Sequence, residues 1–161
     1  LRSVGALLSG SALTDATVAV PEGHYTDASM AATVVPNRNA IMLSIAYGVA
    51  VAQGAGEVAT AVHSGDHHIY PDCRPGFIAA FDAMQRLAVE GFGDIRLSTP
   101  FVNMTKAEIV VLGSLLGVPF VDTWSCYKGG DEHCGKCGTC VERREAFQIA
   151  GITDPTSYTS R

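Results

Sequence analysis

The sequence predicts an α/β domain built on a parallel sheet, closed at its C-terminal end by a metal-stapled helical segment. Short strand-like stretches alternate with helix-period stretches between Asn39 and Val121, the pattern of strands linked by crossover helices. Four cysteines, Cys126, Cys134, Cys137 and Cys140, fall in one window with the spacing C-x7-C-x2-C-x2-C. At 161 residues and 47% apolar content, the chain is long enough to bury one domain's core.

Leu1 to Leu8 reads as a fragment of helix or strand. Ser11 to Asn37 reads as a long irregular segment holding Pro21, Gly23 and Pro36. Loops of that length are functional or lean on other structure. Asn39 is the expected cap of a helix running through Ile41, Leu43, Ile45, Val49 and Val51 to Gly54. That helix is apolar on nearly every side, which places it centrally or at a subunit contact. Glu57 to Val62 reads as a buried strand ending in the polar loop HSGDHHIYPDCRPGF. Phe77 to Glu90 follows as a helix with Phe77, Phe81, Met84 and Leu87 on one side, stopped by Gly91.

Ile95 to Leu97 forms a second strand. Thr105 and Glu108 make a capping box ahead of Ile109, Leu112, Leu115 and Leu116, and Gly117 ends that helix. Val118 to Val121 is short and strand-like. A second box, Thr139 and Glu142, places Cys140 in the first turn of a final helix that carries Phe147 and Ile149 and stops at Gly151. A thiolate is favoured at that helix end.

Bulk composition excludes several classes. The net charge of −5 argues against a basic nucleic-acid face. No stretch reads as a signal peptide or as a membrane span; Leu43 to Ala52 is interrupted by Ser44, Tyr47 and Gly48. Charged residues at 17% are sparse for a soluble domain, which points to a surface covered by a partner or by further protein. Five cysteines do not make a full disulfide framework, so a metal cluster in a reducing cytosol is the better reading.

Four soft thiolates on short glycine-containing turns suit tetrahedral zinc, and four cysteine ligands leave no open position, so the site is structural. Iron–sulfur, redox and disulfide readings of the same window stay open at this level. Gly135 and Gly138 each follow the first cysteine of a pair, permitting tight turns with amides facing sulfur. Lys128, Lys136, Arg143 and Arg144 lie near enough in sequence to offset the site's charge. Cys73 stands apart as a pocket or core thiol.

In open α/β sheets, ligands bind outside the carboxyl ends of the strands. The loop after Val62 lies there and gathers His63, Asp66, His67, His68, Tyr70, Asp72 and Arg74, carboxylates for a heterocycle and a guanidinium for a carboxylate, with a second metal site on the histidines as a weaker reading. Arg38 precedes the apolar helix, where an anion is favoured. Lys106 occupies a first helical turn against the dipole preference, a placement that a negatively charged ligand justifies. A solvated loop and surface cations are the plainer readings of these positions.

Five motifs carry a resemblance: SALTD at Ser11–Asp15, VPNRN at Val35–Asn39, HSGDHHIYPDCRPGF at His63–Phe77, NMTKAEIV at Asn103–Val110 and SCYKGGDEHCGKCGTCVERR at Ser125–Arg144. Together they closely resemble the 7-cyano-7-deazaguanine synthase family, the nitrile-forming ligases of queuosine biosynthesis. The resemblance implies an adenine-nucleotide alpha-hydrolase-like sheet and a pyrophosphatase-loop ligase. Its reaction would convert 7-carboxy-7-deazaguanine and ammonia to the nitrile with ATP and magnesium. It implies Asp66, Tyr70, Asp72 and Arg74 as substrate-binding, Arg38 and Lys106 as the catalytic contacts to phosphate or the activated intermediate, and the four clustered cysteines as zinc ligands. On this reading residues 1–122 are the remainder of a nucleotide- and substrate-binding domain and 123–161 the zinc-binding segment.

The family's SGGxDS loop has no counterpart here, since LLSGSALTD at Leu7–Asp15 carries one glycine in that position. The chain is therefore expected to correspond to the C-terminal two-thirds of the enzyme. A homodimer in the cytoplasm, with no membrane or nucleic-acid partner, completes the expectation. The rivals are a catalytically inactive remnant, a zinc-containing RNA-binding module, and a tRNA-thiolating relative that would use Cys73.

Overall fold

The computed structural model describes residues 7–159, apart from the side chain of residue 27. The expectation for Leu1 to Leu8 falls almost wholly outside them. Pro36–Thr105 forms one compact unit; the described residues up to Val35 and from Lys106 onward form another.

The Pro36–Thr105 unit holds the sheet. Strands β1 (Glu57–Ala59) and β2 (Arg96–Ser98) pair in parallel, with Val58 opposite Leu97. The parallel sheet expected from sequence is thus present among the described residues as two strands. β1 is shorter than the expected Glu57–Val62, because only three of its residues find a ladder partner, and β2 keeps the expected length but lies one residue later than Ile95–Leu97. Helix α2 (Arg38–Gln53) precedes β1, and α3 (Pro75–Ala88) joins β1 to β2; α1 (Asp27–Ala31) belongs to the other unit. Leu43, Tyr47 and Ala50 of α2 pack with Val58, Phe81 and Ile95 into one core.

Tyr47 is fully buried. Its hydroxyl donates to the Asp82 carboxylate at 3.0 Å, which also accepts the Leu97 amide at 2.9 Å and the Arg86 Nε at 2.8 Å. One carboxylate therefore ties α2, α3 and β2 together. A polar group in a core is tolerated when its bonds are met.

Three expectations change here. The cap of α2 is Asn37, not Asn39: the helix begins one residue before Asn39, and Asn37 takes a left-handed φ of 60° without a side-chain capping bond. The helix is buried on one face only. Met42, Ile45 and Val49 are 47%, 44% and 55% exposed, because no described layer covers that side. The inner face of α3 is rotated from the predicted stripe: Ile78, Phe81 and Gln85 are buried while Met84 and Leu87 face outward. Gln85 enters because its Nε2 finds the Ser44 hydroxyl at 3.2 Å, a partner no periodicity could reveal.

The second unit packs α4 (Lys106–Leu115) against α5 (Gly138–Ala150). Val110, Ala146 and Phe147 form the seam, with Phe120 beside them. Residues 120–122 form a 3-10 turn rather than a strand. The Phe120 ring fills the space over Gly113 of α4, which holds the chain close to the helix and leaves no edge to pair with. Leu115 and Leu116, expected on the packed stripe, are exposed. Thr139 does not cap α5: Cys137 is the cap residue, and Thr139 lies inside the first turn.

The irregular stretch before α2 leans on the cysteine segment. Glu22 bridges Cys137 in antiparallel fashion, and the Gly23 amide donates to the Lys136 carbonyl at 2.7 Å. The short helix α1 and this bridge account for a length that composition alone left irregular.

Candidate metal centre and substrate loop

The four cysteines meet. Their Sγ atoms all lie within 4.8 Å of one another, and none is disulfide-bonded. Cys137 and Cys140 sulfurs are 3.5 Å apart, Cys134 and Cys140 sulfurs 4.0 Å. Tetrahedral zinc with Zn–S near ~2.3 Å sets sulfurs roughly 3.8 Å apart, so the observed spacing brackets that of a single ion. It leaves no room for a multi-iron cluster.

Local sequence builds the site. Gly135 takes φ 72° after Cys134, which turns the backbone so that the amides of Lys136 and Cys137 donate to the Cys134 sulfur at 3.4 and 3.3 Å. The Cys134 amide donates to the Cys126 sulfur at 3.4 Å. Amides aimed at sulfur stabilise the thiolate form and orient it. Cys137 and Cys140 are completely buried. Burial opposes ionisation of Cys137, but the Thr139 hydroxyl and the Tyr127 and Cys140 amides bring it down to about 6. Burial, followed by the neighbouring Cys137 sulfur, pushes Cys140 upward. Two such sulfurs cannot both hold charge without a cation between them, and a divalent ion supplies it. The donor set therefore fits zinc, which would bind the four sulfurs and fix their segments.

Behind the sulfurs lies a polar buttress. Arg143, 8% exposed, pairs with Asp154 at 3.2 Å and donates to the Thr123 hydroxyl at 2.7 Å and the Phe120 carbonyl at 3.1 Å. Asp154 accepts the Tyr158 hydroxyl at 2.6 Å. The buried His133 accepts the Ser125 amide at 3.0 Å on Nε2. Burial, then the Arg143 charge, lowers its pKa and keeps it neutral. Arg143 thus serves Asp154 rather than the thiolates. Lys128 pairs with Glu22 and also lies near enough to Cys134 and Cys137 for their charge to act on it, as expected, and Arg144 donates to the Gly135 carbonyl.

The loop after Val62 is folded on itself. His63 accepts the Gly65 amide on Nδ1 at 3.1 Å and turns Nε2 to Asp66 at 3.2 Å. Tyr70 is half-buried against Val62, Cys73 and Ile78. The Asp72 carboxylate accepts the Asn39 amide at 3.0 Å. Arg74 donates to the His67 and His68 carbonyls at 2.8 and 3.3 Å. Asp66, Tyr70, Asp72 and Arg74 are therefore brought into one loop. Arg38 is exposed at the start of α2. Lys106 opens α4 and is paired with Glu142 of α5.

Sequence reasoning missed the partners: Asn39 for Asp72, His63 for Asp66, Glu142 for Lys106. The acidic and imidazole residue types were visible, but which of them face each other depends on tertiary contact. Cys73 is buried, and burial, then Asp66 and Asp72, raises its thiol to about 11. A thiol so hard to ionise is a poor sulfur carrier, which removes support from the tRNA-thiolating reading.

A parallel sheet joined to a closed four-thiolate centre defines a metal-stapled α/β protein. The family model for queuosine biosynthesis protein QueC matches residues 3–151, and the chain belongs to that family. It is 65% identical over 158 residues to the 7-cyano-7-deazaguanine synthase of Ruegeria sp. (strain TM1040), covering 98% of this chain and 67% of that protein. It is 67% identical to 7-cyano-7-deazaguanine synthase 1 of Mesorhizobium japonicum, covering 98% and 68%. The corresponding enzyme of Brucella ovis is 65% identical, again over 98% and 68%.

Proposed function

We propose that this chain performs the ATP-dependent conversion of 7-carboxy-7-deazaguanine and ammonia to 7-cyano-7-deazaguanine through adenylated intermediates. The observation that carries the reading is identity of 65–67% to proteins of that name across 98% of the chain.

The chemistry requires two activations. A carboxylate resists ammonia because oxide is a poor leaving group. Attack of a carboxylate oxygen on the α-phosphorus of ATP releases pyrophosphate and gives an acyl adenylate. Ammonia then displaces AMP to give the amide. The amide oxygen attacks the α-phosphorus of a second ATP, releasing pyrophosphate, and loss of AMP and a proton from the O-adenylated amide leaves the nitrile. Negative charge develops on phosphate in both halves, where preorganised cations lower the barrier. Magnesium bound with ATP would neutralise phosphate charge.

In this reading Arg38 and Lys106 meet phosphate or the activated intermediate. Asp66, Tyr70, Asp72 and Arg74 form the loop that takes the deazaguanine base and its carboxylate. Residues 123–161 form the segment whose folding depends on zinc, and 1–122 the nucleotide- and substrate-binding remainder. We place the protein in the cytoplasm: five free thiols suit a reducing compartment, and no helix among the described residues is long and apolar enough to cross a membrane. The exposed apolar side chains Met42, Ile45 and Val49 on α2 support a homodimer.

The test is incubation of the full-length protein with ATP, magnesium, ammonium and 7-carboxy-7-deazaguanine, followed by mass spectrometry. The reading expects the nitrile, dependent on ATP and on ammonium. No turnover by folded, zinc-loaded protein would reject it.

A further inference from the structure

The amides at the start of a helix need acceptors from outside it. In α2 the cap residue Asn37 supplies none from its side chain. An acceptor comes instead from 33 residues away: Asp72 Oδ2 takes the Asn39 amide at 3.0 Å. Asn39 donates again from its side chain, its Nδ2 reaching the Asp72 carbonyl at 3.2 Å and the Cys73 sulfur at 3.2 Å. The arrangement is a cap closed across the fold rather than along the chain, joining the residue after Arg38 to the end of the His63–Arg74 loop.

Resting on the reading above, in which that loop holds the base and Arg38 meets phosphate or the intermediate, we infer that Asn39 and Asp72 are positioning residues for the reaction. Together they fix the distance between Arg38 and the loop. Asp72 acts through Asn39, not by binding the base with its charge. Three bonds, all donated by Asn39, make the geometry specific: the carboxylate sets the helix start, and the carboxamide sets the loop end. Cys73 takes part as a buried acceptor, which gives a role to a thiol that the chemistry leaves unused.

The test uses full-length protein and the variants Asn39→Ala, Asp72→Ala and Asp72→Asn, with kcat and KM measured separately for the base and for ATP. Misalignment of reacting groups lowers kcat, so Asn39→Ala and Asp72→Ala are expected to lose about 10- to 100-fold in kcat with KM for the base within about 3-fold. Asp72→Asn keeps an acceptor oxygen and is expected to recover most of the loss seen in Asp72→Ala. A KM for the base raised equally by Asp72→Asn and Asp72→Ala would overturn the inference, as would wild-type kcat in Asn39→Ala.

Amide hydrogen exchange provides a readout independent of turnover. Asp72→Ala should speed exchange at Asn39 by about 10-fold or more, with Val58 in β1 unchanged as the control for folding. Unchanged exchange at Asn39 would overturn the latch itself. Normal latch behaviour in a protein without turnover would instead count against the proposed reaction.

Discussion

Tyr25 packs against Gly138 so closely that a Cβ added to that glycine would overlap the Tyr25 ring. Gly138 opens α5, one residue after the metal-ligand position Cys137. Its φ is not left-handed; what it provides is space. Gly138→Ala is therefore expected to destabilise the zinc-loaded protein by about 1–3 kcal/mol through overpacking, measured by urea denaturation. Tyr25→Ala should relieve much of that loss in the double variant. Full additivity would show that the contact is not the cause.

Removing the metal should be visible at the chain's single tryptophan. Trp124 stacks on His133 with ring centroids 4.2 Å apart, and its indole donates to the carbonyl of Cys126 at 2.8 Å. A chelator that strips zinc should free Cys126, break that bond and shift Trp124 emission to the red. Re-addition of zinc should reverse it. Emission that ignores the metal would argue that residues 123–161 fold without it.

The Asp82 junction predicts both a mutational effect and a pH effect. Tyr47→Phe removes a buried bond to a charged acceptor and should destabilise by about 1–3 kcal/mol. Burial raises the Asp82 pKa, but Arg86, the Leu97 amide and Tyr47 outweigh it and hold the carboxyl below its usual range. A lowered folded-state pKa means a stabilising contribution that is present above the unfolded value and lost as pH falls through the folded one. Exchange of the Leu97 amide should therefore stay protected at neutral pH and lose protection in acid below about pH 4. Asp82→Asn should flatten that dependence.

Arg74 offers a direct check on the pocket loop. Its guanidinium donates to two loop carbonyls, and in the proposed reading it also faces the substrate carboxylate. Arg74→Ala should weaken binding of 7-carboxy-7-deazaguanine by about 10-fold or more while ATP binding changes little, since a lost charge-assisted pair is worth roughly 1.5–3 kcal/mol. Calorimetric titration of each ligand separates the two. Equal losses would assign Arg74 to loop structure alone.

Local signals carried much of this molecule. The spacing from Cys126 to Cys140 announced a closed thiolate centre, and it forms because Gly135 supplies the turn and α5 supplies Cys140. The helices around Tyr47, Phe81 and Phe147 were legible from their apolar residues; Gly54 and Gly151 stop the first and last as expected, whereas the one around Phe81 ends at Ala88 with Val89 as its cap, before Gly91. Tertiary partners were not. Asn39 looked like a cap because its residue type favours caps, yet Asp72 recruits it from across the loop. Gln85 was not among the residues expected on the packed side of its helix; Ser44 gives it a partner there. Val118 to Val121 had strand-forming residues but, among the described residues, no strand beside them.

Isotope tracing reaches the central claim of two adenylations most directly. Full-length protein would be supplied with 7-carboxy-7-deazaguanine carrying 18O in both carboxylate positions, and the nucleotide products analysed by mass spectrometry. The account predicts that each nitrile formed is matched by two AMP molecules, each carrying one labelled oxygen. Label in pyrophosphate, in inorganic phosphate or in water would contradict it.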